Sequence, residues 1–220
     1  MSEVIVDTLK HSGNSSTANL TLASTGNVTV GADLIATKQN GCERIILEKF
    51  LTPCDGSTIA TANGNITVSN VSSTQTMSTT HTDITGSSIS YTPPTGATQV
   101  IYEFHTCVTK GDDQYHWTHF KYLLDDVDVA YAHNSIRVDA GGEDGPGRPV
   151  FIWAFNIGGT ANANTGRVAS WTSAKTIKMQ ARSYNDGNEA GLHKIHGWDG
   201  SSNSGNGYFS MPLIGITAIG

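Results

Sequence analysis

The 220-residue sequence predicts an all-β protein: an antiparallel β-sandwich or jelly-roll head preceded by a short β-rich N-terminal segment. Many short segments alternate apolar and polar side chains, as strands with one buried face do. Charged residues make up only 15% of the chain, and its 24 glycines and many Ser, Thr and Asn residues separate these segments. This composition is typical of many short strands joined by polar turns and does not favour long helices.

Residues 1–40 are predicted to form an anchor or stalk, residues 41–56 a connector, and residues 57–220 the head. The first 40 residues contain short alternating segments parted by Ser, Gly and Asn turns. Strands this short gain stability by pairing with other chains or with a larger body. The apolar residues predicted to act in the anchor are Val4, Ile5, Val6, Leu20, Leu22, Val28 and Val30.

The next segments predict strands with less certain limits. Residues 42–51 mix a helical and an alternating pattern, but Pro53 and Gly56 end the segment early, which favours a strand or one connecting turn. Further along, 66–68 and 88–90 are predicted strands, and Asn63-Gly64 is a turn of the hairpin type.

A strand beginning near Val100 organises the predicted head. Pro93, Pro94 and Gly96 open the segment as a turn, after which the side chains alternate. One face is predicted to lie in the core: Val100, Tyr102, Phe104, Thr106 and Val108. The opposite face is of mixed polarity, so we expect another subunit to cover it: Ile101, Glu103, His105, Cys107 and Thr109.

A second alternating strand, residues 114–124, runs into Asp125-Asp126. Adjacent carboxylates could serve acid–base chemistry or bind calcium, but neighbouring residues in a strand point to opposite faces, and at a turn they point to water. We therefore predict a hairpin with the acidic pair at its tip, followed by a strand that carries Val127, Val129 and Tyr131.

Three later segments complete the predicted head. Residues 150–157 are apolar on both faces, which predicts a central strand with Phe151, Trp153 and Phe155 on one face. Residues 175–182 alternate, with 177, 179 and 181 facing inward. The last strand, 209–219, contains Pro212, which predicts an edge position or a bulge.

Catalytic and cofactor motifs are absent from the sequence, which predicts a non-enzymatic protein without cofactors. His116 and His119, like His193 and His196, are three residues apart and face opposite sides of a strand, so no metal site is predicted. Cys42, Cys54 and Cys107 include no Cys-x-x-Cys pair and are expected to be free thiols. The net charge of -6 disfavours nucleic acid, and no apolar run of about 20 residues predicts a membrane span.

Two loops are the candidate ligand-contact region. Each places an aromatic residue beside Asp, Asn and Gly, and an aromatic ring with amide and carboxylate neighbours can form a shallow glycan or receptor site. The alternative is that the aromatic rings close the ends of the sandwich while the polar residues make turns. The candidate contact residues are Tyr184, Asn185, Asp186, Trp198, Asp199 and Asn203.

Several motifs in residues 50–220 resemble a family of virion structural proteins from tailed, largely marine bacteriophages. They are Thr82-Asp-Ile-Thr-Gly-Ser-Ser-Ile-Ser-Tyr-Thr-Pro-Pro94, Val100-Ile-Tyr-Glu-Phe104, His119-Phe-Lys121, Gly158-Gly-Thr-Ala-Asn-Ala-Asn-Thr-Gly-Arg167, Ser170-Trp-Thr-Ser-Ala-Lys175 and Trp198-Asp-Gly200. The head looks like the trimeric jelly rolls at phage fibre tips. The N-terminal segment is similar to segments that open phage fibre proteins.

The resemblance implies a homotrimeric virion protein, made in the host cytoplasm and attached through its N-terminus to a tail adaptor or to the major capsid protein. A short fibre or tail-fibre-type protein that contacts a host surface glycan is the first expectation. A capsid decoration protein or head fibre, and a carbohydrate-binding module, are the alternatives. The family motifs are structural, so no catalytic residue is carried over.

Overall fold

A computed structural model describes residues 8–9, 20–22, 28–29, 44–109, 116–138, 147–184, 191–195 and 208–220. The chain divides into two compact units, residues 1–43 and residues 44–220. The first unit contains β1 (Thr8–Leu9), β2 (Leu20–Leu22) and β3 (Val28–Thr29), which pair antiparallel in that order. Of the predicted anchor residues, Leu20, Leu22 and Val28 lie in these strands, whereas Val4, Ile5, Val6 and Val30 lie outside the described residues.

The second unit is all-β. Its strands are β4 (Ile46–Pro53), β5 (Thr58–Thr61), β6 (Gly64–Thr67), β7 (Gln75–Thr76), β8 (Thr82–Asp83), β9 (Ile89–Tyr91), β10 (Gln99–His105), β11 (Val108–Thr109), β12 (His116–Leu124), β13 (Val127–Asp128), β14 (Asn134–Val138), β15 (Val150–Asn156), β16 (Lys175–Ser183), β17 (Gly191–Leu192), β18 (Lys194–Ile195), β19 (Tyr208–Phe209) and β20 (Leu213–Ile219). Two short 3-10 turns, Ala130–Ala132 and Ala163–Thr165, interrupt them. None of the described residues forms a helix with the length and apolar character to span a membrane.

The first large sheet has the antiparallel order β15-β10-β20-β4. The organising strand β10 lies inside it, and Val100, Tyr102 and Phe104 are completely buried, as predicted from their alternation. The alternation ends at His105. Residues 106–109 are all buried because the chain leaves this sheet to form β11, which pairs with β17.

The second large sheet has the order β13-β12-β16-β8, with β14 also pairing with β12 and β9 also pairing with β16. Ile177, Met179 and Ala181 of β16 are buried, which confirms the predicted register. Smaller pairings, β11-β17-β7, β18-β19 and β5-β6, complete the described sheets.

Aromatic side chains join the inner faces of the two large sheets in one apolar core. Phe120 of β12 packs against Phe151 of β15, with ring centroids 4.6 Å apart. Tyr102 of β10 meets Tyr122 of β12 edge to face at 6.0 Å. Such edge-to-face and offset pairs are favoured by the charge distribution of aromatic rings. The antiparallel sheets with a shared core are those of a β-sandwich, which confirms the predicted fold class.

The predicted hairpin between β12 and β13 is confirmed. Asp125 and Asp126 both have positive φ values, 50° and 63°, and Leu124 pairs with Val127 across the turn. A two-residue turn with two left-handed residues matches the right-handed twist of the strands, and Asp tolerates that conformation. The strand predicted after the turn is shorter than expected, because a 3-10 turn begins at Ala130.

Three predictions of position are wrong. The strand 150–157 was expected to be central, but β15 forms an edge of its sheet, with Val150 and Ile152 exposed on the outer face. The last strand was expected at an edge or at a bulge caused by Pro212. Instead β20 is internal and Pro212 precedes it, and the irregularity in its pairing with β4 lies at the far end of the strand, between Ala218 and Ile219. The hairpin turn between β5 and β6 is centred one residue earlier than predicted, because Gly64 already pairs with Thr61.

The described cysteines, Cys54 and Cys107, are free thiols in the interior, as predicted, and Cys42 lies outside the described residues. The Cys54 thiol is fully buried and donates to the Gly86 carbonyl at 3.4 Å. Burial, together with the nearby Asp55 carboxylate, raises the pKa of Cys54 to about 12.

His193 is a buried neutral histidine between β17 and β18. Its Nε2–H donates to the Thr85 carbonyl at 2.9 Å, so its Nδ1 accepts from the Thr106 hydroxyl at 2.8 Å. Burial lowers the pKa of His193 to about 4, against an opposing contribution from the bond to Thr85.

This histidine predicts a loss of stability in mild acid. Because its pKa is lower in the folded chain, the unfolded chain binds more protons, and the free energy of unfolding falls as the pH drops from about 6.5 towards 4. We expect a loss of about 2 kcal/mol from this group between pH 7 and pH 5. Urea unfolding at both pH values measures it. His193→Gln should flatten this part of the profile, and an equally steep profile in that variant would assign the loss to other groups.

Thr118 of β12 has a buried hydroxyl with no hydrogen-bond partner among the described residues. A buried hydroxyl without a partner retains its desolvation penalty, about 1–3 kcal/mol. We therefore expect Thr118→Val, which keeps the shape of the side chain, to raise the free energy of unfolding by about 1 kcal/mol. Thermal and urea unfolding measure this change. A destabilisation of similar size would mean that the hydroxyl has a partner such as an ordered water.

Candidate functional site

The outer face of the β13-β12-β16-β8 sheet carries most of the described side chains capable of polar recognition. Strand alternation sends the partners of the buried core residues outward, and the register between β12 and β16 sets them side by side. The outward-facing residues of this sheet are Asp83, Trp117, His119, Lys121, Ser135, Arg137, Lys178, Gln180, Arg182 and Tyr184.

A groove of about 470 Å³ lies at the end of this sheet where β12 begins and β16 ends. The described residues that line it, here called the groove residues, are Trp117, Thr118, His119, Ser135, Arg182, Ser183 and Tyr184. Two large aromatic side chains are exposed here, Trp117 by 44% and Tyr184 by 72%. The Tyr184 N–H donates to the Trp117 carbonyl at 3.0 Å, which fixes these residues at adjacent positions.

The Trp117 ring also contacts a residue of the neighbouring strand β14. Trp117 and Arg137 are partners in the β12–β14 register, and the Arg137 guanidinium lies 5.9 Å from the centre of the indole ring. A cation over an aromatic face is attracted to its negative charge density. This contact restrains the ring on one side.

Three histidines follow the groove along the same face. His81 Nε2 and His119 Nδ1 are 2.8 Å apart, so one of these nitrogens donates to the other. The rings of His119 and His133 meet edge to face at 5.0 Å, and His133 Nε2 lies 2.7 Å from Asp128 Oδ1. These four side chains therefore form a row of contacts that runs from β8 across β12 to β13.

Burial, together with positive charges nearby, keeps two of these histidines neutral near pH 7. Burial lowers the pKa of His81 to about 4, with added repulsion from Lys121, His119 and Arg182. Burial also lowers the pKa of His119, with repulsion from His133 and Arg182, while Asp128 opposes this effect. Arg182 thus contributes positive potential to both rings.

The opposite end of the face is an ion-pair cluster around the β12–β13 turn. Lys178 contacts Asp83 at 2.8 Å and Asp126 at 2.7 Å, and Lys175 contacts Asp125 at 2.7 Å. These pairs bind the edge strand and the turn to β16. Arg182 has no carboxylate partner among the described residues, so positive charge is left at the groove.

The four-stranded sheet has a different outer face. Its exposed apolar side chains lie on both edge strands, Ile46 and Leu51 on β4 and Val150 and Ile152 on β15. The polar groups between them bond within the chain: His105 Nε2 to Glu103 Oε1, and Gln99 Nε2 to Asn156 Oδ1 at 2.9 Å. The partly exposed face of β10 predicted from sequence lies within this surface.

The structure tests only part of the ligand-contact prediction. Tyr184 lies in the groove, whereas Asn185, Asp186, Trp198, Asp199 and Asn203 lie outside the described residues. Sequence reasoning missed Trp117, His119, Ser135 and Arg182 as a group. A signal did exist, since Trp117 alternates with His119 and Lys121 on the polar face of its strand. Among the described residues, no group of three or more His, Cys, Asp or Glu is placed to hold a metal ion.

The chain matches no protein-family model, and no curated protein aligns with it significantly.

The pKa values of the groove histidines provide a direct test of this electrostatic arrangement. Arg182→Gln removes a positive charge, so we expect the pKa values of both His81 and His119 to rise. Two-dimensional NMR of the imidazole resonances during a pH titration measures both. Arg44→Gln, which removes the same charge outside the groove, is the control and should leave them unchanged. Equal titration curves in wild type and Arg182→Gln would contradict the geometry.

Proposed function

We propose that the chain is a non-enzymatic structural protein of a bacteriophage virion, a homotrimeric appendage with a jelly-roll-like head. In this proposal, residues 1–40 attach to another virion protein and the head faces outward, where it contacts the host surface. The sequence motifs that resemble phage virion proteins support the virion origin and the number of three subunits. The lack of catalytic motifs in the sequence supports a structural role.

The observation that carries the proposal is the apolar outer face of the four-stranded sheet. Ile152 is 55% exposed and Ile46 is 62% exposed, and Leu51 and Val150 extend the same surface. Several exposed apolar side chains on one sheet face, here at both of its edges, are typical of protein–protein interfaces. In a homotrimer, a second copy of the chain covers this outer face.

The polar groups on this face do not oppose such burial. Glu103 is bonded to His105 and Gln99 to Asn156 within one chain, so these four side chains enter an interface with a partner already in place. Unpaired buried polar groups would cost free energy, and paired ones cost less. Lys49 lies on the edge strand β4, from which its flexible side chain can reach solvent.

The other sheet supports carbohydrate binding as an activity of the same head. If the apolar face is covered by neighbouring copies, the face that carries the groove residues remains available to the outside. Exposed aromatic rings beside hydroxyl, imidazole and guanidinium groups are suited to sugar recognition. This observation favours host glycan contact as the second candidate function.

Assembly is tested by light scattering of the purified full-length chain. We expect three times the 23.3 kDa chain mass at micromolar concentration. Ile152→Lys should reduce the mass towards that of one chain, because a charge on the apolar face must be desolvated on association. Val127→Lys is the control: Val127 is 52% exposed on the other sheet, and this variant should keep the trimer. A monomeric or dimeric wild type would contradict the proposal.

Location is tested on the virus that encodes the chain. Gold-labelled antibody raised against the purified protein should decorate intact particles in electron micrographs. Label at the tail tip supports a fibre, and label over the capsid supports a decoration protein. Particles without label, when the antibody detects the protein in the same lysate, would contradict a virion role.

A further inference from the structure

We propose that the groove residues bind a carboxylated saccharide, a unit of an acidic polysaccharide such as a polyuronate. This inference rests on the proposed function in one respect, since it names the chemical class of the surface receptor. The binding itself requires only the folded chain.

Aromatic exposure is the first part of the argument. Trp117 and Tyr184 stand at adjacent positions on an otherwise polar sheet face, and an exposed apolar patch rimmed by polar residues often marks a binding surface. The apolar C–H face of a sugar ring stacks on an aromatic ring while its hydroxyl groups stay available for hydrogen bonds. Arg137 lies over Trp117 and restrains it, which reduces the entropy lost on binding.

Charge is the second part. None of the described residues lining the groove is acidic, and Arg182 has no carboxylate partner within the described part of the chain. The lysines farther along the face are paired with Asp83, Asp125 and Asp126. A guanidinium group binds a carboxylate with two parallel hydrogen bonds. The described residues of the groove thus offer a guanidinium group and no carboxylate, which favours an acidic ligand.

Hydrogen-bonding capacity is the third part. Ser135 and His119 supply a hydroxyl and an imidazole beside Arg182 on the outer face of the sheet. Pockets for small ligands span about 300–1,000 Å³, and the groove falls within that range. A nucleic acid would require several phosphate contacts, whereas Arg182, which has no carboxylate partner among the described residues, suits a ligand with one carboxylate per sugar.

Proton binding should be linked to ligand binding. The charged and titratable groups that face His119 are His81 from the β8 side, Lys121 on its own strand, Arg182 on β16, and His133 with Asp128 on the far side. A ligand carboxylate at Arg182 offsets part of this positive potential and favours protonated His119. By reciprocity, lowering the pH from 7 to 5.5 tightens binding while the ligand stays ionised.

Calorimetry on the full-length protein tests the inference, with tetragalacturonic acid as the probe and maltotetraose as its neutral match. We expect saturable binding of the acidic probe and at least tenfold weaker binding of maltotetraose. Arg182→Gln and Trp117→Ala should each weaken acidic-probe binding at least tenfold, and Arg182→Lys should lose less than Arg182→Gln. Arg44→Gln, with the same charge change outside the groove, should stay within twofold.

A second aromatic variant distinguishes loss of binding from loss of folding. If Trp117→Ala lowers the melting temperature, Tyr184→Ala takes its place, because a side chain that is 72% exposed contributes little to the core. Loss of binding with an unchanged melting temperature supports the groove.

Three results would overturn the inference: no binding of tetragalacturonic acid, equal binding by Arg182→Gln, or tighter binding of a sulfated tetrasaccharide or of single-stranded DNA. The light-scattering and labelling tests involve none of the groove residues. A trimeric virion protein that fails to bind the probe therefore refutes only the ligand, and a probe-binding chain missing from particles refutes only the virion role.

Discussion

The aromatic contact between the two sheets, centred on Phe120 and Phe151, is the interaction on which the rest of the head depends. Each ring is completely or almost completely buried, and the side chains on either side of it in its strand face outward. Once these residues face inward, the neighbouring side chains of β12 and β15 must face outward. The shared core therefore determines the chemistry of both outer faces at the same time.

The two outer faces differ because the strands differ in their alternate positions. On β15 the alternate residues are Val150 and Ile152, so one surface is apolar. On β12 they are Trp117, His119 and Lys121, so the other surface is polar and aromatic. A one-residue shift of either strand would bury these side chains and expose the core. The surfaces proposed for recognition and for self-association thus lie on opposite faces of the sandwich.

Alternation allowed the strands themselves to be predicted from sequence. The inward residues of β10 and β16 and the hairpin at Asp125-Asp126 follow from local pattern and turn chemistry. The order of the strands in the sheets does not follow from local pattern, because an apolar outer face can be covered either by the same chain or by another copy. Residues 150–157 carry such a face, so the strand was expected to be central. In the structure it lies at an edge of its sheet.

The groove was harder to predict for a related reason. Its side chains come from three segments, around residues 117, 135 and 182, that only strand register brings together. Each segment alone has an ordinary polar pattern. The Asp125-Asp126 pair is exposed, as predicted, but the contacts of both carboxylates with lysines of β16 were missed. Long-range ion pairs of this kind also depend on register and cannot be read from one segment.

The buried thiol of Cys54 has a consequence for oxidation. Only the thiolate form reacts readily with oxidants, and a pKa of about 12 leaves very little thiolate at neutral pH. Its sulfur is also inaccessible, with no exposed surface. The core around it therefore has the same chemistry in a reducing interior and in oxygenated water. Cys54 therefore needs no redox maturation in either environment.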